Sequence, residues 1–212
     1  MTSPRAAGAF LLLSPVGILL GWAATRLMDG MGDEPLWTIG HLLWLPAYAL
    51  LALGLLGIHR RIGADSPGGR LLAGSGAALA VLGGAALTVQ MAVDLVVGFA
   101  TTSRPEMWDM FDAVQAVPGV EPAVYAVGPT LLFLGMPILM VHAAVRRRVP
   151  ARSAVLVVAA VAVMVLDQAV GLPLRLGMAT ASVLLFAAMV PVRRLLLAEG
   201  APAGAADRAG VR

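Results

Sequence analysis

Six long apolar segments alternate with short polar stretches along this chain. They cover about residues 7–27, 38–59, 71–99, 124–145, 153–170 and 173–196. A helix of about 20 apolar residues crosses the roughly 30 Å hydrocarbon core of a bilayer. The pattern therefore predicts an all-α polytopic membrane bundle of six transmembrane helices, in one domain over residues 1–197. The first segment is long enough to span, so it is interpreted as a helix rather than a cleaved signal.

Arginines cluster in every second polar stretch. They follow the second, fourth and sixth apolar segments, at Arg60, Arg61 and Arg70, at Arg146, Arg147, Arg148 and Arg152, and at Arg193 and Arg194. The other stretches are acidic or nearly free of charge. Positive residues in short loops mark the cytoplasmic side. We therefore expect a multi-pass protein of the bacterial cytoplasmic membrane with both termini in the cytoplasm, and a disordered cytoplasmic tail over 198–212.

The composition supports a lipid environment. The chain is 59% hydrophobic and 13% charged, whereas a soluble domain carries roughly 25% charged residues. A pI near 10.5 would also suit a nucleic-acid-binding protein, but the arginines lie beside apolar spans, where membrane orientation explains them. We expect the lipid bilayer as partner and no nucleic acid. The absence of cysteine excludes disulfides, thiolate nucleophiles and Cys-ligated metals.

The outer loop over 101–122 has a helical pattern of its own. Met107, Phe111 and Val114 recur at helical spacing, and Trp108 lies beside them. This predicts a short amphipathic helix. It either lies on the outer membrane surface with Trp108 among the headgroups, or packs as a cap over the bundle.

Small residues form a stripe on the third predicted helix, at Gly76, Ala80, Gly84 and Thr88. Small side chains allow neighbouring backbones to approach closely in lipid. We expect this stripe to pack inside the monomer; the alternative is the seam of a homo-oligomer.

Polar side chains within the spans are few, and each is costly in a bilayer. If the predicted topology holds, the candidates all lie in the outer third of the membrane: His41, Gln90, Asp94, Asp167, Gln168 and Arg175. They predict an outward-facing ligand or proton site. Asp94 and Asp167 would supply carboxylates, Arg175 a counter-ion and His41 a titrating group.

A simpler interpretation of the same residues is favoured. Asp167 and Arg175 flank a tight turn at 171–173 and can pair across it. Asp94 belongs to an overlong helix and can lie at the membrane surface. His41 lies where polar groups normally meet lipid headgroups.

The sequence gives little support for a cofactor site or a metal site. His59 and His142 are carried on helices, as haem ligands often are, but both lie at cytoplasmic helix ends beside arginines. His41 lies on the opposite side, so no three histidines can share a zinc ion. Known hydrolase, nucleotide-binding and metalloprotease motifs are absent from the sequence. We expect no cofactor, no metal and no catalytic residues.

The stretches Gly40–Pro46 and Leu55–Arg61 resemble the second helix of a broad group of small bacterial membrane proteins. The group is uncharacterised, has about six helices, and is found in actinobacteria and related bacteria. A later helix in it commonly ends in an arginine cluster followed by proline, as at Arg146–Pro150. The resemblance implies a six-helix integral membrane protein and brings no activity.

Three classes of function fit these observations. The favoured one is a non-enzymatic accessory component that binds a ligand, a lipid or another membrane protein. The second is a small transporter or proton-coupled carrier that uses the outer polar residues. The third is a membrane-embedded enzyme acting on a lipid or isoprenoid, with the same acids as general acid and base.

Overall fold

The computed structural model describes residues 3–27, 35–63, 66–171 and 176–199, and within these ranges it is all-α, with no strand. A π-helical turn at Glu121–Ala126 leads into the fifth helix. The seven α-helices are α1 Pro4–Arg26, α2 Pro35–Ile62, α3 Pro67–Ala100, α4 Arg104–Gln115, α5 Val127–Val145, α6 Ala151–Val170 and α7 Gly177–Glu199. All except α4 are long and apolar enough to cross a membrane.

The six predicted spans are therefore confirmed, although several begin earlier than their apolar residues do. The Ser3 side chain accepts a hydrogen bond from the Ala6 amide, and Ser66 does the same for Gly69. Each serine precedes a proline in the first turn, which is a favourable helix start. The last predicted span begins at Gly177 among the described residues. The tail from 200 onwards lies outside them.

The spans form a closed ring in chain order. Each long helix packs against the next one, and α7 returns to pack against α1. Helix α2 also touches α5 across the interior. The core between them is filled by fully buried side chains, among them Leu11, Leu55, Leu132, Leu139 and Met189.

The predicted small-residue stripe on α3 packs inside this ring. Gly135 of α5 lies so close to the Ala80 backbone that a Cβ there would collide with it. A Cβ on Gly84 would come within 2.6 Å of the Ala52 side chain on α2, and one on Gly76 within 3.0 Å of the α5 backbone. Close backbone approach is how helices associate where lipid provides no hydrophobic drive.

Charge separates the two ends of the bundle. One end, here called the basic end, carries ten arginines among the described residues: Arg5, Arg60, Arg61, Arg70, Arg146, Arg147, Arg148, Arg152, Arg193 and Arg194. The opposite, acidic end carries Arg26 and Arg104 together with the carboxylates Asp94, Glu106, Asp109, Asp112, Glu121 and Asp167. The candidate polar residues predicted from the sequence that the structure describes all lie towards the acidic end.

Candidate functional site

His41 and Asp94 meet near the acidic end of the bundle. His41 lies in the second turn of α2, and Asp94 lies six residues before the end of α3. The imidazole Nε2 is 3.5 Å from the Asp94 Oδ2, and the two side chains are only 3% and 9% exposed. This separation is that of an ion pair and is longer than an ordinary hydrogen bond.

The other ring nitrogen of His41 fixes the orientation of the ring. Nδ1 lies 2.8 Å from the carbonyl oxygen of Trp37. A carbonyl can only accept, so Nδ1 carries a hydrogen and donates it. Nε2 is therefore the nitrogen that faces the carboxyl group of Asp94.

Tyr125 completes the surroundings of Asp94. Its hydroxyl donates to the Asp94 Oδ1 at 3.3 Å, from the π-helical turn that precedes α5. The two carboxyl oxygens thus have separate partners. Sequence reasoning missed this tyrosine, because a tyrosine at the end of an apolar span is ordinarily an anchor at the membrane interface.

Two tryptophans flank His41 on the same face of α2. The Trp37 ring lies 3.9 Å from the imidazole centroid, and the Trp44 ring meets it edge-on at 5.3 Å. Positions 37, 41 and 44 share one face because they are spaced by about one helical turn. The buried Trp37 Nε1 has no hydrogen-bond partner in the described part of the chain.

Helix α4 packs over the ends of α2 and α3 beside this site. Met107 and Phe111 are buried against Trp37 and Val97, while Trp108 is half exposed. The amphipathic helix predicted for the outer loop is thus present, and its apolar face caps the ends of α2 and α3. Contact of Trp108 with lipid headgroups stays a prediction.

Asp167 and Gln168 lie apart from the His41–Asp94 pair, on the other side of Trp44. They line a pocket of about 190 Å³ between α1, α2, α6 and α7. Its other lining residues are Trp22, Thr25, Arg26, Trp44, Met164 and Met178. Asp167 is half-buried and Gln168 is exposed. Gly177 lies directly against the Asp167 side chain, with no room for a Cβ between them.

A hydrogen bond fixes Trp44 between the His41–Asp94 pair and the pocket. Its Nε1 donates to the Ile18 carbonyl on α1 at 3.0 Å. Gly21 leaves the space that the indole occupies, since a Cβ there would lie 2.5 Å from the ring. One face of α2 therefore contributes to both the buried pair and the open pocket.

The six predicted site residues therefore do not form one cluster. His41 and Asp94 are in contact, and Asp167 and Gln168 share the neighbouring pocket. Gln90 lies one turn from Asp94 on α3 and is half-buried, and no hydrogen bond joins it to the pair. Arg175 lies outside the described residues, and so does its predicted pairing with Asp167.

Chemically, the pair joins an imidazole and a carboxyl group in a buried place, and the pocket can enclose a small molecule between indoles and a carboxylate. Across the described ranges, no three His, Asp or Glu side chains converge as metal ligands would. Comparison with known proteins found no matching family, no matching curated protein and no matching solved structure.

Proposed function

We propose that this chain is a non-enzymatic component of the bacterial cytoplasmic membrane that binds a small ligand, partly apolar and partly charged, at its outer end. Six apolar helices long enough to span support the membrane location. The arginines at the basic end support its orientation towards the cytoplasm, because positive loops are retained on that side.

The pocket beside Trp44 is the observation that carries this proposal. Its walls are two indoles and two thioethers, and its polar groups include a carboxylate, an amide and a guanidinium. A volume of about 190 Å³ is below the roughly 300 Å³ at which pockets for drug-sized ligands begin. The occupant is therefore small, with an apolar body and at least one charged group.

Native mass spectrometry on the protein extracted gently from its host membrane tests the proposal. A bound small molecule should be present in the wild type, lost in Asp167→Asn, and retained in the control Asp109→Asn. Asp109 is an exposed carboxylate on α4 at the same end and does not line the pocket. A stoichiometric second protein in place of the small molecule would favour an accessory subunit, and loss in both variants would contradict the pocket.

Reporter fusions test the orientation separately. A fusion after Arg148 should report the cytoplasm and one after Glu106 the outside, because they lie at opposite ends of the bundle. An exchange of the two signals would reverse the orientation and place the pocket inside.

A proton-coupled carrier is the second candidate, and the buried contact between His41 and Asp94 favours it. In proteoliposomes with an imposed pH gradient, such a carrier would move protons with its ligand. Replacement of His41 by Gln should then abolish proton movement while the pocket still binds. Unchanged proton movement in His41→Gln would exclude the pair from transport.

A further inference from the structure

A groove opens between α5 and α6 at the basic end, far from the polar site. Its walls are entirely alanine and valine: Val141, Ala144 and Val145 on α5, with Ala151, Ala154, Val155 and Val158 on α6. Its volume is about 440 Å³. These two helices pack less closely than the other neighbouring helices in the ring. The groove is therefore open on the side that faces away from the interior of the bundle.

The turn that joins the two helices holds an arginine in a costly conformation. The amide of Arg148 donates to the Ala143 carbonyl at 2.8 Å, and that of Arg147 to the Ala144 carbonyl at 2.9 Å. This is the Schellman ending of a helix, in which the left-handed residue is normally glycine. Here that residue is Arg147, with φ of 56°. Residues other than glycine are uncommon in this conformation, which makes Arg147 a candidate for a role of its side chain.

Two exposed arginines lie close in sequence to residues that line the groove. Arg147 lies in the connecting turn, and Arg152 lies in the first turn of α6, beside Ala151 and three residues before Val155. The first turn of α6 also presents amide groups, and its N-cap Pro150 provides no side-chain cap. A helix start of this kind attracts anions.

We propose that the groove binds an anionic glycerophospholipid. One acyl chain would lie along the alanine and valine walls, and the phosphate would lie by Arg147, Arg152 and the start of α6. Charge complementarity selects the occupant, because basic clusters at cytoplasmic helix ends recruit anionic lipid headgroups. The adjacent apolar groove distinguishes a lipid from a free phosphate. This site is separate from the proposed ligand pocket and does not depend on it.

Binding of phosphatidylglycerol to the detergent-purified full chain tests the proposal, with phosphatidylcholine as the zwitterionic comparison of zero net charge. Native mass spectrometry should show retained phosphatidylglycerol in preference to phosphatidylcholine. Each arginine near a membrane surface contributes about 1 kcal/mol, which is about fivefold in affinity. Arg152→Gln should therefore weaken phosphatidylglycerol about fivefold. Arg5→Gln, on α1 away from α5 and α6, should leave it unchanged.

Arg147→Gly separates a lipid contact from a structural effect. Glycine adopts the left-handed conformation without strain, so this variant should unfold at a higher temperature than the wild type in lipid-free detergent. It should also bind phosphatidylglycerol about fivefold more weakly. A gain in thermal stability combined with a loss of lipid binding cannot come from misfolding.

Filling the groove with a larger side chain is a second test of the proposal. Val155 lines the groove and is 66% exposed, whereas Val165 lies elsewhere on the same helix and is 61% exposed. Val155→Trp should reduce phosphatidylglycerol retention, and Val165→Trp should not. Equal retention of the two lipids, an equal loss in Arg5→Gln, or full competition by sn-glycerol 3-phosphate would overturn the proposal.

Discussion

Asp94 and Asp167 are two carboxylates at the same end of the bundle, on opposite sides of Trp44, and their surroundings differ. Asp94 is 6% exposed and is held by His41 and Tyr125. Asp167 is half-buried at the edge of a pocket that opens at this end. Asp94 is therefore enclosed by neighbouring side chains, whereas Asp167 borders a pocket.

Position along the helix does not explain this difference. Asp94 lies six residues before the end of α3 and Asp167 three residues before the end of α6, so both are within two turns of a helix end. The difference comes from what covers each of them. Asp94 is buried against His41 and Tyr125, beside the cluster in which α4 packs on Trp37 and Val97, whereas Asp167 lines a pocket. Local packing, more than position along the helix, therefore determines how exposed each carboxylate is.

Removing the cap should have the largest effect. Phe111→Ala deletes a buried aromatic ring between α4 and Trp37, which should cost about 3 kcal/mol of unfolding free energy. It should also expose the His41 side to water, making Asp94 more like Asp167. Denaturation in SDS measures the first effect, and amide hydrogen exchange in the first turns of α2 measures the second.

Trp108→Ala is the control for this prediction. Trp108 is on the same helix but 51% exposed, so its loss should leave exchange in α2 unchanged. If Phe111→Ala and Trp108→Ala raised exchange equally, α4 would not be the element that encloses the pair.

The two carboxylates should differ next in their contribution to stability. Asp94→Ala leaves a buried histidine and a tyrosine hydroxyl without their acceptor, which costs about 2 kcal/mol. Asp167→Ala removes a group that is only half-buried, so its cost should be smaller than that of Asp94→Ala. The free energies of unfolding of the two variants, compared with the wild type, check this. Equal losses would mean that the two environments are energetically alike.

The architecture was predictable because lipid imposes a simple rule on sequence. An apolar run of about 20 residues can be satisfied in a bilayer only as a helix, so the six spans could be read from hydropathy alone. The small-residue stripe on α3 and the amphipathic pattern in the outer loop were also sufficient to predict a close helix contact and α4.

The candidate site was less predictable because it depends on contacts between distant residues. Spacing placed Gln90 and Asp94 on one face of α3, but packing buries only Asp94 against His41. Tyr125 is 31 positions from Asp94 and carries no local signal. The sequence predicted the end of α5 at residue 145, but Arg147 occupies a left-handed position where glycine is the usual residue, so this conformation could not be predicted.

Trp44 links the two carboxylate regions, and Gly21 sets its position. Gly21→Ala places a Cβ 2.5 Å from the indole and 2.9 Å from the Gly40 carbonyl. Overpacking of this kind should cost about 1.5 kcal/mol and should disturb the pair and the pocket together. Thermal unfolding and tryptophan fluorescence would detect it. Gly74→Ala is the matched control, because a Cβ there meets nothing within 4 Å and alanine favours the helix.

The smallest expected effect belongs to Tyr125, and it asks whether Asp94 depends on more than His41. Tyr125→Phe removes one hydroxyl that donates at 3.3 Å and keeps the ring, so unfolding should become easier by about 1 kcal/mol. In the His41→Gln background, a larger loss than in the wild type would show that the two partners substitute for each other. Equal losses in both backgrounds, measured as a double-mutant cycle, would mean that they act on Asp94 independently. No loss in either background would restrict the buried site to the His41–Asp94 pair, with Tyr125 as a wall of the cavity and not a partner in it.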